Sequence, residues 1–345
     1  MTSTAPIPCA LCAYSLPHTL GYLPTRRGAP NPNPSSLQAL VDAALQHGLS
    51  GVEFPLAAIV PSFDGKFITA AGADEELLER VRTQGLTLIA DYGSILDQDA
   101  AHLTAYLQTA AKAGAKTVRA TLSHILCGDR RSLPDGWPAY FEALVQRLRE
   151  VLPVAEDLGL VLAVENHQDV TSADLIDLYT SSGASPAFGV TLDTGNPLAV
   201  AEDPVEFAAR IGPLIRHVHL KDYTLHLAPS GYRLARCAAG EGVIDFPAIL
   251  QIVRDNGHSI LPSIEIAAQA TRTIPILEPT WWECHRTDQT RHLIAALRLV
   301  WDRAAAQDVP FSSAWERGGS SEEVVREEWN LVERSIDYFA RLPSA

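Results

Sequence analysis

The chain has 345 residues with 47% hydrophobic and 20% charged content, enough to bury a large core in a single domain. Lys and Arg total 27 against 41 Asp and Glu, and the formal net charge of -14 works against a polyanionic partner, so no nucleic acid is expected. No apolar run is long enough to span a bilayer, and the opening MTSTAPIPCALCAYS lacks the basic start and long apolar core of a secretory leader, so a cytoplasmic chain without membrane contact is expected.

In chain order, short apolar runs predict strands near Cys9 to Tyr14, Gly51 to Phe54, Leu86 to Asp91 and Thr117 to Thr121. Four more follow in LVLAVENH, AFGVTLDTGN, LIRHVHLKDY and ILPSIEI. Helix-like spacing covers Ser35 to His47, Asp74 to Gln84, Asp99 to Ala113, Trp137 to Leu158, Ser172 to Ser182, Asp203 to Ile211, Phe246 to Asn256 and Thr290 to Ala306. Links such as QHGLSGVEF, RTQGLTLIADYG, KAGAKTVRAT, EDLGLVLAVEN and RDNGHSILPSIEI end a helix at Gly and deliver a strand. Eight strands alternating with eight helices predict an α/β fold, a single (β/α)8 TIM barrel spanning residues 1–306. Residues 307–345 form a C-terminal helical extension, since EEVVREEWNLVERSIDYFARL has amphipathic spacing, and it should brace the barrel or a neighbouring subunit. The rival, an open doubly wound sheet, needs a Gly-rich turn after its first strand, and YSLPHTLGYLPTRRGAPNPNP has none.

Four long irregular stretches follow strands, at Ser15 to Pro34, Leu122 to Gly136, Lys221 to Asp245 and Ala267 to Asp288, and so gather on the carboxyl face of the barrel. Cys9, Cys12, Cys127, Cys237 and Cys284 are scattered and odd in number, which argues against a disulfide framework. Cys9 and Cys12 share a Cys-x-x-Cys spacing, yet residues three apart in a strand face opposite sides, so both read as small core residues.

The four later strands each end in a metal-ligand type: Glu165, Asp193, His219 and Glu265. Three carboxylates on one face of a barrel repel one another unless a cation compensates them, so the four predict one divalent metal ion. Oxygen donors with one imidazole suit manganese best, with magnesium or cobalt as alternatives. His167 lies two residues beyond Glu165, on the same face if the strand persists, as a general base or acid. Lys221 follows His219 on the same side and serves to steady an oxyanion. Asn196, Arg119, His124, Trp281 and Trp282 are candidate substrate contacts, the tryptophans by packing on the CH patches of a sugar. GEGVIDF is a Gly-flanked turn that matches no nucleotide motif.

VENH, LDTGN, HVHLKD, GEGVIDF and SIEI together resemble the xylose-isomerase-like superfamily of sugar isomerases, epimerases and related metal-dependent lyases. The resemblance implies Glu165, Asp193, His219 and Glu265 as the metal ligands. Ketose epimerases of that superfamily usually carry a His shortly after the ligand Asp and an Arg after the ligand His. Here Asn196 stands near the first place and HLKDYTL has no Arg in the second, while the Glu165 and His167 pair is similar to the dehydratase branch.

The expected function is therefore a lyase acting on a keto sugar, oxo-cyclitol or oxidised glycoside. It would abstract a proton next to a carbonyl and eliminate through a metal-stabilised enolate, with His167, Glu165, Glu265 and Lys221 carrying the catalysis. A sugar isomerase or epimerase using Glu165 and Glu265 on opposite faces is the alternative, and an oxo-sugar-acid decarboxylase a further one. A DNA-repair endonuclease would need two or three metals with more His ligands and a basic surface, and neither is present. A non-catalytic sugar- or partner-binding barrel is disfavoured by a His standing beside intact ligands. The partner expected is a small keto sugar or oxo-polyol, in a homo-oligomer, with completion of the site by a second type of subunit as the alternative.

Overall fold

The structure is a computed structural model and describes residues 6–25, 30–56, 59–61, 67–69, 73–267, 269–285, 290–307, 309 and 311–342. Parts of the long loops and tail delimited above, at 26–29, 268, 286–289, 308, 310 and 343–345, lie outside the described residues.

Eight strands close a barrel: β1 (Ala10–Cys12), β2 (Gly51–Pro55), β5 (Thr87–Ser94), β6 (Thr117–Thr121), β7 (Val161–Glu165), β8 (Phe188–Asp193), β9 (Ile215–Leu220) and β12 (Ser263–Ile264). A small hairpin, β3 (Ile59–Pro61) and β4 (Phe67–Thr69), interrupts the chain order after β2. Every barrel pairing is parallel, and β12 closes the ring onto β1. The expected (β/α)8 barrel is the fold observed.

Helices α1 (Leu37–Gln46), α2 (Glu75–Thr83), α3 (Ala100–Lys112), α4 (Gly136–Asp157), α5 (Ser172–Ser181), α6 (Pro204–Ile211), α7 (Phe246–Asp255) and α8 (Thr290–Arg303) follow the strands in turn. Their starts are fixed by side chains that satisfy free amides: Asp74 accepts from the Leu77 amide, Asp99 from that of His102, and Thr171 with Asp174 forms a reciprocal capping box. Their ends release the chain into strands through left-handed turns, as at Gly85 (φ +70°) and Gly159 (φ +65°).

Three stretches differ from expectation. The first strand stops at Cys12 and passes into a 3-10 turn at Ala13–Ser15, and the last is only Ser263–Ile264, so Glu265 stands just past the sheet. More substantially, Lys221 to Asp245, expected to be irregular, contains an antiparallel hairpin of β10 (Asp222–Ala228) and β11 (Gly231–Cys237), with β13 (Arg272–Ile274) added at its edge. The physical reason is alternation: Tyr223 and Leu225 flank Thr224 on one strand, Tyr232 and Leu234 flank Arg233 on the other, and the four large side chains are buried while Thr224 and Arg233 are half-buried. Gly231 is required at the turn, because a Cβ there would strike the Ile274 carbonyl.

The tail helix α9 (Ser321–Arg341) begins in a Ser320–Glu323 capping box and lays Val324, Leu331, Val332, Ile336 and Phe339 against the barrel, with Phe339 edge-on to Phe246 of α7 at 5.1 Å. Its Glu328 is fully buried and accepts hydrogen bonds from the amides of His18 (2.8 Å) and Thr19 (2.8 Å) and from the Thr19 hydroxyl (2.7 Å). The tail thus holds the loop that follows β1. Replacing Glu328 with Ala leaves those donors buried and unpaired, an expected loss of about 3 kcal/mol. Urea unfolding of Glu328→Ala beside wild type measures it, and an unchanged midpoint would contradict this role.

Candidate metal centre

The barrel staggers its strands so that Asp193 pairs in register with His219, and Thr121 with Glu165. Ligand atoms of Glu165, Asp193 and His219 lie within 4.8 Å of one another, all fully buried. Glu265 joins them, its Oε2 lying 3.7 Å from His219 Nδ1, the same distance as Glu165 Oε2. The four residues picked as ligands are therefore brought together.

Charges around them interlock. The Arg119 guanidinium pairs with Glu165 and reaches Asp91 Oδ1 at 3.2 Å, while Lys221 Nζ bridges Asp193 and Glu265. Asp193 Oδ1 also accepts from the amides of Gly195 (2.9 Å) and Asn196 (3.1 Å). His219 Nε2 bonds Glu53 Oε1 at 2.7 Å, and the other Glu53 oxygen meets His217 Nε2 at 2.9 Å.

Burial opposes charge on Glu165, but Arg119 and then His219 outweigh it and hold the carboxyl at about 2. Burial likewise opposes charge on Glu53, yet His219 and His217 hold it well below the usual carboxylate range. For Asp193 burial prevails over Lys221 and lifts the carboxyl to about 7, and for Asp91 it prevails over Arg119, to about 8. His219 would be kept neutral by burial, but Glu53 raises it to about 9. Burial lowers His167 to about 4, so its ring is neutral near pH 7.

A divalent ion fits this donor set on one structural observation above all. His219 Nδ1 is buried, has no hydrogen-bond partner among the described residues and lies between the carboxylates of Glu165 and Glu265. An unpaired buried imidazole nitrogen beside carboxylates is the donor chemistry such an ion requires.

His167 follows β7, with its Nδ1 buried and unpartnered, and Glu165, Arg119, Lys221 and Glu265 all act on its charge. Asn196 is buried and bridges the site to the hairpin, donating to Glu165 Oε1 (3.3 Å) and accepting from the Tyr223 hydroxyl (3.3 Å). Arg119 is committed to the two carboxylates rather than held open. His124 is half-exposed at the rim and pairs with Asp97 at 2.7 Å, away from the ligand cluster's contacts. The tryptophans form a lock between loops. Trp281 is fully buried, donates to the Cys127 carbonyl (2.9 Å) and stacks on His285, while Trp282 donates to the Ile276 carbonyl (2.8 Å).

GEGVIDF is likewise filled from within. Asp222 accepts from the amides of Tyr223, Gly240, Gly242 and Ile244, and a Cβ at Gly242 would collide with its carboxylate. Cys9 packs in the apolar core, while Cys12 faces the barrel interior near Glu53. Sequence reasoning missed Glu53, Asp91 and His217. The first two were findable, because GVEF and LIADYG carry a carboxylate within or just after the apolar run, as the later strands do.

Comparison with known proteins decides the family, since the model of the xylose isomerase-like TIM barrel matches residues 41–300. The chain belongs to the xylose isomerase-like TIM barrel family. A 3-oxo-isoapionate decarboxylase of Pectobacterium atrosepticum is 26% identical over 237 residues, covering 68% of this chain and 78% of that one. Among solved structures, the probable 3-DHS dehydratase AsbF of Bacillus anthracis superimposes with a TM-score of 0.53 at 19% identity, covering 75% of this chain and 92% of the other. The IOLI protein with a bound zinc atom superimposes with a TM-score of 0.55 at 15% identity, covering 87% and 100%. The relatives similar to the chain thus include proteins named as a decarboxylase and a dehydratase, and structural neighbours have been solved with zinc or with magnesium.

Coordination through His219 Nδ1 must expel the proton that Glu53 helps the ring keep up to about pH 9. Metal affinity is expected to fall about tenfold per pH unit as pH drops from 9 toward 7, and more steeply below 7 as Asp193 also takes up a proton. Calorimetric titration with manganese in buffers of different protonation enthalpy reads the released proton; affinity flat between pH 7 and 9 would show that binding displaces no proton from His219 in that range.

Proposed function

We propose that the protein is a divalent-metal-dependent lyase that acts beside the carbonyl of a keto sugar, oxo-cyclitol or oxidised glycoside. The observation that carries the reading is an unpartnered, neutral His167 imidazole standing next to a metal-ligand set with His219 Nδ1 open. Glu165, Asp193, His219 and Glu265 would hold the ion. Manganese suits these donors best, magnesium or cobalt next, and zinc enters because the IOLI protein binds it. When bound, the ion supplies Lewis-acid polarisation of a carbonyl oxygen.

The chain's own groups perform the remaining steps. The His167 ring, which burial keeps neutral near pH 7, accepts the proton from the carbon next to the carbonyl on its unprotonated nitrogen and can return it to the departing group. Lys221 Nζ, held between Asp193 and Glu265, places a fixed positive charge where negative charge develops on oxygen. Arg119 and Asn196 keep Glu165 oriented. Loss of a β-substituent completes the elimination.

Two other reactions that pass through the same kind of enolate, reached by loss of carbon dioxide in the first and by proton abstraction in the second, have support of their own. The relative named a 3-oxo-isoapionate decarboxylase favours loss of carbon dioxide from an oxo acid. Glu165 and Glu265, each 3.7 Å from His219 Nδ1, flank the ligand position as an epimerase's carboxylate pair would.

Replacing His167 with Ala is expected to lower turnover by at least about 100-fold while one metal ion per chain is retained. Mass spectrometry of products from a panel of keto sugars and oxo-polyols distinguishes the outcomes: elimination and decarboxylation lower the product mass, and epimerisation conserves it. Full activity in His167→Ala would end the proposed role of that imidazole.

A further inference from the structure

We propose that Glu53 is a positioning residue of the metal centre, fixing His219 in the tautomer that turns Nδ1 toward the ion. The proposal rests on the reading of Glu165, Asp193, His219 and Glu265 as ligands. Glu53 stands on β2, which is separated from β9 in the ring by β1 and β12, so its fully buried side chain reaches across the barrel interior. It meets two imidazoles there, His219 Nε2 at 2.7 Å and His217 Nε2 at 2.9 Å, one on each oxygen.

A carboxylate offers only acceptors, so each ring must donate from Nε2. A neutral His219 then carries its lone pair on Nδ1, the atom that has no partner and lies 3.7 Å from Glu165 Oε2 and from Glu265 Oε2. His217, two residues earlier on β9 and edge-on to His219 at 5.2 Å, completes the arrangement. With its second oxygen engaged by His217, Glu53 is restrained from swinging toward the ion and becoming a ligand itself. The barrel also offers a competing arrangement: Cys12, Glu53 and His219 have ligand atoms within 4.8 Å of one another, and an ion held there would take His219 Nε2 instead.

The test uses full-length protein and zinc ions alone. Nitrogen-15 spectra of wild type with and without zinc identify the ligating imidazole as the ring whose nitrogen shifts on loading. Expected is ligation at Nδ1 with the proton retained on Nε2. In Glu53→Gln, the zinc Kd is expected to rise 10- to 100-fold, with the slowly exchanging Nε2 proton lost. A purely structural role would lower thermal stability and leave both readouts unmoved. Nε2 ligation in wild type overturns the proposal, as does equal zinc affinity in the two proteins, and in either case the metal reading survives. If neither protein binds zinc or manganese, the metal reading itself fails and this proposal falls with it. Should Glu53→Gln not fold, the wild-type spectra decide alone.

Discussion

The mouth of this barrel is governed by the cost of burying carboxylates. Glu53, Asp91, Glu165, Asp193 and Glu265 are all buried, and among the described residues that contact them Arg119 and Lys221 are the permanent cations. Each cation is shared between two carboxylates, and Glu53 is shared between two histidines. Sharing leaves the account of charge unbalanced, and the consequence is visible in Asp91 and Asp193, which burial lifts to about 8 and about 7. A divalent ion among Glu165, Asp193, His219 and Glu265 would supply positive charge where it is short.

The surrounding scaffold makes sense as a means of holding such repelling groups still. Asp222 spends its carboxylate on four backbone amides and so pins the hairpin to the turn at Gly240 to Ile244, directly after Lys221. Asn166 donates to the Asp193 carbonyl and accepts from its amide, which fixes the end of β8. Farther out, Arg130 lies under Trp137 at 3.7 Å and binds Asp174 and the Asp169 carbonyl, tying the loop after β6 to the start of α5. These buried polar contacts are satisfied in pairs, so displacement of one strand end would strand several partners at once.

How much of this the sequence discloses depends on the length scale of the signal. The barrel, and the convergence of Glu165, Asp193, His219 and Glu265 on one place, are legible because each later apolar run ends in one polar residue, a local pattern that packing alone does not produce. Glu53 lies inside GVEF rather than after it, and its partners His217 and His219 are distant in sequence, so only closure of the barrel reveals its role. The hairpin after Lys221 was hidden by expecting irregular chain there, although YTLHL and YRLAR alternate plainly. Trp281 and Trp282 show a contact of longer range: both indole N–H groups are engaged by carbonyls of the chain itself, a lock between loops that an aromatic pair in the sequence does not disclose.

The division of labour between the two sides of the barrel explains how one architecture can serve elimination, decarboxylation and epimerisation. Strands β2, β8, β9 and β12 bring together Glu53, Asp193, His219 and Glu265 in a tightly bonded unit whose geometry has little freedom. His167, by contrast, follows β7 with an unpartnered nitrogen, and a group with no internal partner is free to answer to whatever substrate is placed before it. An enolate is common to all three reactions: elimination and epimerisation reach it by proton abstraction next to a carbonyl, and decarboxylation by loss of carbon dioxide. Which bond breaks depends on which bond of the substrate is aligned for cleavage, and hence on the loops at the barrel mouth rather than on the candidate ligands.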